Sequence, residues 1–298
     1  MNNKNNEVKG IILAGGTGSR LSPITKIISK QLLPIYDKPM IYYPLCTLMQ
    51  AGIRDFLIIT TPNDNYLFQN LLKDGSQWGI SINYETQREP NGIAQAFSIG
   101  KKYINNSSTA LILGDNLFYG EYFSKQLQKS AKEIQGATLF AYPVRNPKRY
   151  GVIEFNEKGK VLSIEEKPKY PKSKYAVTGI YFYDNSVLEK ASLIKPSQRG
   201  EFEISDINNL YLKEDNLKVE IIGRGQAWFD TGTFDSYHDA SSFIRTLETR
   251  QGLKIACPEE VAFKMGYIND QELKNLYSSL SNSEYREYLK DLIEKDVN

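Results

Sequence analysis

The chain has 298 residues, with 37 Lys and Arg against 35 Asp and Glu, so its formal net charge of +2 gives no electrostatic case for nucleic acid. A hydrophobic fraction of 41%, with 20 Tyr and 13 Phe, is enough for a sizeable core and excludes a wholly disordered chain. The apolar runs are far shorter than the ~20 residues that span a bilayer. Residues 1–7 lack the apolar segment of a secretory signal. We therefore expect a cytoplasmic protein with no membrane partner.

Short apolar runs alternate with stretches of helical spacing from residue 8 onward, a pattern typical of βαβ units. The predicted strands cover residues 8–14, 55–60, 80–84, 109–113 and 137–144. The predicted helices between them cover residues 39–50, 64–72 and 93–103. These elements predict an α/β fold with a Rossmann-like, mostly parallel sheet flanked by helices.

The pattern changes after about residue 150. The stretches 151–155 and 161–165 flank a turn that contains glycine, which predicts an inserted antiparallel hairpin. Later elements are strands at 175–183 and 219–222 and helices at 186–193, 205–212, 234–249 and, in short pieces, 258–295. We predict a body of residues 1–250, divided near residue 150, and a helical C-terminal extension of residues 251–298 packed on it.

Cysteine and histidine usage excludes two common kinds of site. Cys46 and Cys257 are too few for a disulfide scaffold and lack the spacing of a zinc site, so we expect buried thiols. His238 is the only histidine, which excludes zinc sites built from several histidines.

The first predicted strand leads into a glycine-rich run, Gly15 to Leu21, at the position where a nucleotide phosphate approaches the backbone in α/β proteins. A dinucleotide fingerprint would need glycine where Leu21 stands, and a P-loop would need Gly-Lys in place of Arg20 and Leu21, so both motifs fail. What remains is an unusual loop in which Arg20 could hold phosphate oxygens in two parallel hydrogen bonds. An ordinary tight turn stays open as the alternative.

Two aspartates follow predicted strands. Asp115 comes directly after the strand at 109–113, at the edge where α/β proteins hold ligands and Mg2+. Asp230 also follows a strand and precedes a helix, so the two carboxylates could share one metal ion. Taken alone, Asp115 could equally cap a turn or a helix.

Four further residues are ambiguous when each is taken alone. Lys30 could be a solvated charge, and Lys167 could mark an exposed strand end held against Pro168. Gln87 offers an amide and Gly92 a free backbone approach, both suited to a base edge or a phosphate, although such residues are also common in plain loops.

Together these segments resemble the sugar-phosphate nucleotidylyltransferases, and more closely the thymidylyltransferase branch of that family. The matching stretches span almost the whole chain: 10–21, 29–57, 74–79, 92–97, 113–120, 149–152, 163–168, 175–185 and 252–260. Ser19 stands where the family usually has threonine, and Phe229 stands where leucine is common. Both differences are small, since Ser19 keeps a hydroxyl.

The resemblance implies transfer of a nucleotide from dTTP to α-D-glucose 1-phosphate with Mg2+ as cofactor, giving dTDP-glucose and pyrophosphate. This would be the first step toward dTDP-L-rhamnose and related deoxysugars. It implies one in-line displacement, which needs positioning and charge neutralisation rather than a protein nucleophile. Residues 8–150 would then bind the nucleotide and residues 151–250 the sugar.

The resemblance also implies roles for individual residues. Arg20 and Lys30 would neutralise the triphosphate, and Lys167 would bind the sugar phosphate. Asp115 and Asp230 would hold Mg2+. The remaining nucleotide positions would be Gly15, Gly16, Thr17, Gly18, Gln87 and Gly92, and the remaining sugar positions Asn116, Gly151, Glu166 and Val177.

Members of this family are typically homotetramers with a second, regulatory nucleotide site between subunits, at which dTDP-rhamnose would act as feedback inhibitor. The corresponding positions here are Tyr119, Gly120, Arg224, Lys254 and Ala256. Three alternatives remain at this stage: a pyrophosphorylase that uses UTP, a catalytically silent nucleotide-sugar-binding regulator, and a Rossmann dehydrogenase, which the failed fingerprint at Leu21 disfavours.

Overall fold

A computed structural model describes residues 8–295 of the chain. The strands are β1 (Lys9–Ala14), β2 (Pro34–Ile35), β3 (Lys38–Pro39), β4 (Asp55–Thr60), β5 (Ser81–Thr86), β6 (Thr109–Leu113), β7 (Asn116–Tyr119), β8 (Ala137–Pro143), β9 (Gly151–Phe155), β10 (Val161–Glu166), β11 (Tyr175–Tyr183), β12 (Leu217–Ile221) and β13 (Ala227–Asp230). The helices are α1 (Tyr42–Gln50), α2 (Asn65–Leu72), α3 (Gln95–Ile99), α4 (Lys101–Ile104), α5 (Phe123–Lys132), α6 (Val187–Leu193), α7 (Ile204–Lys213), α8 (Phe234–Gln251), α9 (Pro258–Lys264), α10 (Asp270–Ser279) and α11 (Glu284–Lys295).

The central strands form one sheet in the order β10-β9-β11-β6-β1-β4-β5, with β8 beside β11 and β12 beside β8. The pairings of β1 with β4 and β6, and of β4 with β5, are parallel. The antiparallel pairings gather around β11 and the β9–β10 hairpin. Apolar clusters cover both faces of the sheet, which is why β1 is almost entirely buried. The predicted α/β class and the inserted hairpin are confirmed.

Helix α5 and the short β2–β3 pair were not predicted, and three further local features differ from the sequence-based expectation. The predicted helix 93–103 is two short helices, α3 and α4, because the chain turns at Gly100, which packs closely on Leu57 and Ile11 of the sheet. The predicted helix 39–50 begins only at Tyr42, since Lys38 and Pro39 pair with β2. The ribbon of β7 and β13 was not predicted, because its two strands lie about 110 residues apart in sequence.

The C-terminal helices α9, α10 and α11 pack on the body through one continuous apolar cluster. This cluster joins Val261, Leu273 and Leu289 to residues of α1 and the sheet. Cys46 and Cys257 are both buried free thiols, as predicted. Within residues 8–295 no helix has the length and apolarity required to cross a bilayer. The predicted domain boundaries near residues 150 and 250 stay predictions.

Gly79 is a point of close contact between the body and the C-terminal helices. Its φ is +65°, and a Cβ at this position would lie 2.3 Å from the backbone oxygen of Tyr267. We expect Gly79→Ala to lower the free energy of unfolding, measured by urea denaturation. Gly159→Ala is the matched control, because Gly159 has φ +77° with open space around its Cβ position.

Both variants place alanine in the left-handed region, at a cost of ~1–2 kcal/mol. Only Gly79→Ala adds a collision with backbone, so it should lose a further ~1–3 kcal/mol. Equal losses in the two variants would contradict the close packing of the C-terminal helices at this point.

Candidate active site

The parallel pairing of β1 with β6 brings two loops to one edge of the sheet. Leu13 pairs with Leu113, so the glycine-rich loop after β1 and Asp115 after β6 emerge side by side. They border a cavity of about 320 Å³, here called the loop cavity. Its lining includes eight of the predicted residues: Gly16, Thr17, Gly18, Arg20, Lys30, Gln87, Gly92 and Asp115.

Lys30 lies in a single turn of 3-10 helix and is 7% exposed. Its ammonium forms a direct ion pair with Asp115. Burial by itself would raise the pKa of Asp115, but the charge of Lys30 and hydrogen bonds from Lys30 and Asn116 hold that pKa below its ordinary value. Asp115 is therefore an anion at neutral pH, and Lys30 is a fixed cation rather than a solvated side chain.

Gln87 lines the loop cavity. It is 4% exposed and donates hydrogen bonds to the backbone oxygen of Gly92 (3.2 Å) and to Oε1 of Gln95 (2.7 Å). Two glycines make this arrangement possible. A Cβ on Gly15 would lie 2.5 Å from Oε1 of Gln87, and a Cβ on Gly92, whose φ is +102°, would lie 2.4 Å from the backbone oxygen of Phe202.

A second cavity of about 390 Å³, here called the hairpin cavity, adjoins the loop cavity. The two share Arg20 and Asp115 in their linings. The guanidinium of Arg20 rests against Gly232, where a Cβ would lie 2.9 Å from Nη2. The hairpin cavity brings together six other predicted residues: Asn116, Gly151, Glu166, Lys167, Val177 and Asp230.

Gly151, Glu166 and Val177 converge on one wall of the hairpin cavity. A Cβ on Gly151 would lie 3.4 Å from Oε2 of Glu166 and 3.5 Å from Cγ2 of Val177, so the space above this glycine belongs to the cavity. Glu166 is held in place because Ser205 donates a hydrogen bond to Oε2. Arg199 lies 4.0 Å from the other carboxylate oxygen of Glu166.

Lys167 follows β10 directly and has φ +44°, an unusual conformation for a residue with a side chain. Its backbone N–H donates a hydrogen bond of 3.0 Å to the backbone oxygen of Tyr150. Its ammonium lies 3.8 Å from Oε1 of Glu166, and its side chain is 44% exposed. Lys167 therefore presents a cation at the open side of the hairpin cavity.

Asp230 lies opposite Asn116 in the β7–β13 ribbon. Its carboxylate interacts with Arg149 at 3.4 Å and with the hydroxyl of Tyr150. Burial raises the pKa of Asp230 above its ordinary value, and the nearby charge of Asp115 adds to the rise, while Arg149 opposes it. The two aspartates are therefore close enough to repel each other.

This pair of carboxylates fits a divalent cation. Mg2+ prefers hard oxygen ligands, and a cation held by Asp115 and Asp230 would offset their mutual repulsion, which adds to the effect of burial on the pKa of Asp230. Residues 8–295 contain no group of three or more His, Cys, Asp or Glu residues placed to hold a metal. Two carboxylates with phosphate oxygens and water are the kind of ligand set that Mg2+ uses in phosphate chemistry.

The side chain of Asn116 is largely committed to the fold. Its Oδ1 accepts hydrogen bonds from Nε1 of Trp228 (2.6 Å) and the backbone N–H of Gly179 (3.1 Å), and its Nδ2 donates to Asp115 (2.9 Å). Asn116 thus fixes the position of Asp115 as well as lining the hairpin cavity.

Within one chain, the five positions predicted for a regulatory site do not all line the same cavity. A third cavity, of about 530 Å³ and here called the α1–α9 cavity, is lined by four of them, Tyr119, Gly120, Lys254 and Ala256. Arg224 is exposed and does not line it. Lys254 forms ion pairs with Asp37 and Glu248 instead of standing free.

Sequence reasoning missed several residues of the hairpin cavity. Arg149 and Tyr150 directly precede the predicted Gly151, and their contact with Asp230 depends on the ribbon that was not predicted. Asn208 lies on α7, where only its helical spacing from Ser205 could have indicated a shared face.

Comparison with known proteins places this geometry in a family. A model of the family described as nucleotidyl transferase matches residues 9–246. The chain is 56% identical to a glucose-1-phosphate thymidylyltransferase of Neisseria meningitidis serogroup A / serotype 4A, covering 97% of this chain and 100% of the relative. It is also 56% identical to one of Mycobacterium tuberculosis, with the same two coverages.

Two solved structures agree with the sequence relatives. A Bacillus anthracis protein described as a glucose-1-phosphate thymidylyltransferase, solved with sucrose, has a TM-score of 0.74 and 42% identity over 80% of this chain and 95% of its own. A UDP-glucose pyrophosphorylase complexed with UDP-glucose has a TM-score of 0.71 and 26% identity over 80% of this chain and 99% of its own. The chain therefore belongs to the nucleotidyl transferase family, among the glucose-1-phosphate thymidylyltransferases.

Proposed function

We propose that this enzyme joins dTTP to α-D-glucose 1-phosphate in the presence of Mg2+ and releases pyrophosphate, forming dTDP-glucose. The observation that carries the proposal is that the loop cavity and the hairpin cavity share Arg20 and Asp115. A nucleotide in the first cavity and a sugar phosphate in the second would place their phosphates at this shared wall. The names of the relatives support the choice of substrates.

The reaction is one in-line displacement. An oxygen of the sugar phosphate attacks the α-phosphorus of dTTP, and the bond from that phosphorus to the oxygen bridging the β-phosphate breaks, which releases pyrophosphate. Arg20 and Lys30 neutralise the triphosphate and the departing pyrophosphate, and Lys167 orients the sugar phosphate. Asp115 and Asp230 would hold Mg2+, which supplies further neutralisation of the phosphate charge. This division of labour needs no nucleophilic side chain.

Three residues would orient the sugar. Glu166 accepts hydrogen bonds, and its position is fixed by Ser205. Gly151 leaves room for the ring, and Val177 supplies an apolar contact. The product is the starting material for dTDP-L-rhamnose and related deoxysugars.

The experiment that tests the proposal is pyrophosphate release with glucose 1-phosphate and Mg2+, comparing dTTP, UTP, ATP, CTP and GTP at equal concentration. We expect fast release with dTTP and slower but measurable release with UTP, because one methyl group changes binding by only ~1–3 kcal/mol. Release with UTP alone would make the enzyme a UDP-glucose pyrophosphorylase. Nucleotide binding without any release would indicate a silent regulator.

Arg20→Ala should lower kcat by about 100- to 1000-fold, since it removes a cation from the phosphates in the transition state. Lys26→Ala is the matched control, because Lys26 is an exposed cation near Arg20 that lines neither cavity. Circular dichroism should show that both variants are folded. Near-normal turnover of Arg20→Ala would remove Arg20 from the mechanism.

We further propose that the α1–α9 cavity is a regulatory nucleotide site in a homotetramer and that dTDP-rhamnose acts there as feedback inhibitor. Its volume and the four predicted positions in its lining support this role. A coupling of ~1–3 kcal/mol would be ordinary for such feedback. Inhibition should remain at saturating dTTP. Strictly competitive inhibition would instead place the inhibitor in the loop cavity, and light scattering would test the tetramer.

A further inference from the structure

One polar side-chain atom in the wall of the hairpin cavity lacks a hydrogen-bond partner among the described residues. Asn208 lies on α7, lines the cavity and is only 1% exposed. Its Oδ1 accepts a hydrogen bond of 2.6 Å from the hydroxyl of Tyr183. Its Nδ2 is buried and has no partner among the residues that the structure describes. A buried N–H group without a hydrogen-bond partner destabilises the fold. A ligand in the cavity that offered a hydrogen-bond acceptor would remove this cost.

The hydroxyl of Tyr183 occupies the oxygen end of the amide, because it donates its hydrogen to Oδ1 of Asn208. The ring of Tyr183 is fully buried and stacks on Tyr181 and Tyr211 at centroid distances of 6.1 and 5.6 Å. Because the oxygen of the amide is anchored in this way, the nitrogen is the atom left for a ligand.

The surroundings of Asn208 favour a neutral ligand group. Ser205, one helical turn earlier on the same face of α7, holds Glu166 by a hydrogen bond. The cation of Lys167 belongs to a side chain that is 44% exposed, whereas Asn208 is sealed in the wall. A phosphate would therefore stay near Lys167, and the polyhydroxylated ring would face Asn208.

We propose that Nδ2 of Asn208 donates a hydrogen bond to one ring hydroxyl of the bound sugar and thereby helps to select the sugar. This inference rests on the proposed function, because it assumes that the hairpin cavity holds the sugar. Asn208 is almost closed off from solvent, so the hydroxyl must be pressed against the cavity wall. A site built around a polar partner discriminates strongly against a ligand that lacks the matching hydroxyl.

The test compares glucose 1-phosphate with analogues that each lack one ring hydroxyl, using kcat/KM of the wild-type enzyme and of Asn208→Leu, which has nearly the same size. We expect kcat/KM of the wild-type enzyme to be about 10-fold lower with the analogue that lacks the partner hydroxyl than with glucose 1-phosphate. Asn208→Leu should lose about as much with glucose 1-phosphate and nothing further with that analogue. The KM for dTTP should not change.

Tyr183→Phe separates ligand binding from a structural role. Like Asn208→Leu, it removes the hydrogen bond between Tyr183 and Asn208, but it leaves Nδ2 of Asn208 in place. We expect Tyr183→Phe to keep the wild-type ratios between the sugars. If Asn208 served only to anchor Tyr183, both variants would lower activity by one common factor for every sugar, which would overturn the proposal.

Asn208→Asp keeps the test informative if Asn208→Leu fails to fold. The aspartate retains an oxygen for Tyr183 and replaces only the nitrogen. The loss in kcat/KM of Asn208→Asp relative to wild type must differ for the analogue that lacks the partner hydroxyl and be the same for the other sugar phosphates. An equal loss for every sugar phosphate would overturn the proposal. The measurement on the wild-type enzyme distinguishes a failure of the proposed function from a failure of the role proposed for Asn208. Absence of turnover with every nucleotide contradicts the proposed function, whereas turnover without a hydroxyl-specific penalty contradicts only the role of Asn208.

Discussion

The site depends on the parallel pairing of β1 with β6. Because both strands end at the same edge of the sheet, the glycine-rich loop and Asp115 are neighbours although 100 residues separate Gly15 from Asp115 in sequence. The ion pair between Lys30 and Asp115 then joins a third segment to this edge. A buried carboxylate without that cation would be costly, so the fold and the charge of the site depend on each other.

The parts of the site that lie on regular strands could be predicted from the sequence. Apolar runs located β1 and β6, and the residues that follow such strands, Arg20 and Asp115, could be assigned to one edge from the strand pattern alone. The hairpin of β9 and β10 could also be predicted, because its turn residues and its strands are close in sequence.

Contacts between distant segments could not be predicted in this way. The β7–β13 ribbon is too short to give a periodic signal, and it decides which residues meet Asp230. The unpaired amide of Asn208 is a property of packing, visible only when every neighbour has a position.

The left-handed backbone at Lys167 has a consequence for how the enzyme can be altered. A residue with a side chain in this conformation costs ~1–2 kcal/mol relative to an extended one. Glycine would remove that cost at position 167, where φ is +44°, but it would also remove the ammonium. Stability and charge are thus opposed at a single residue. A search for thermostable variants that ignores activity would favour a substitution that removes the cation proposed to bind the sugar phosphate.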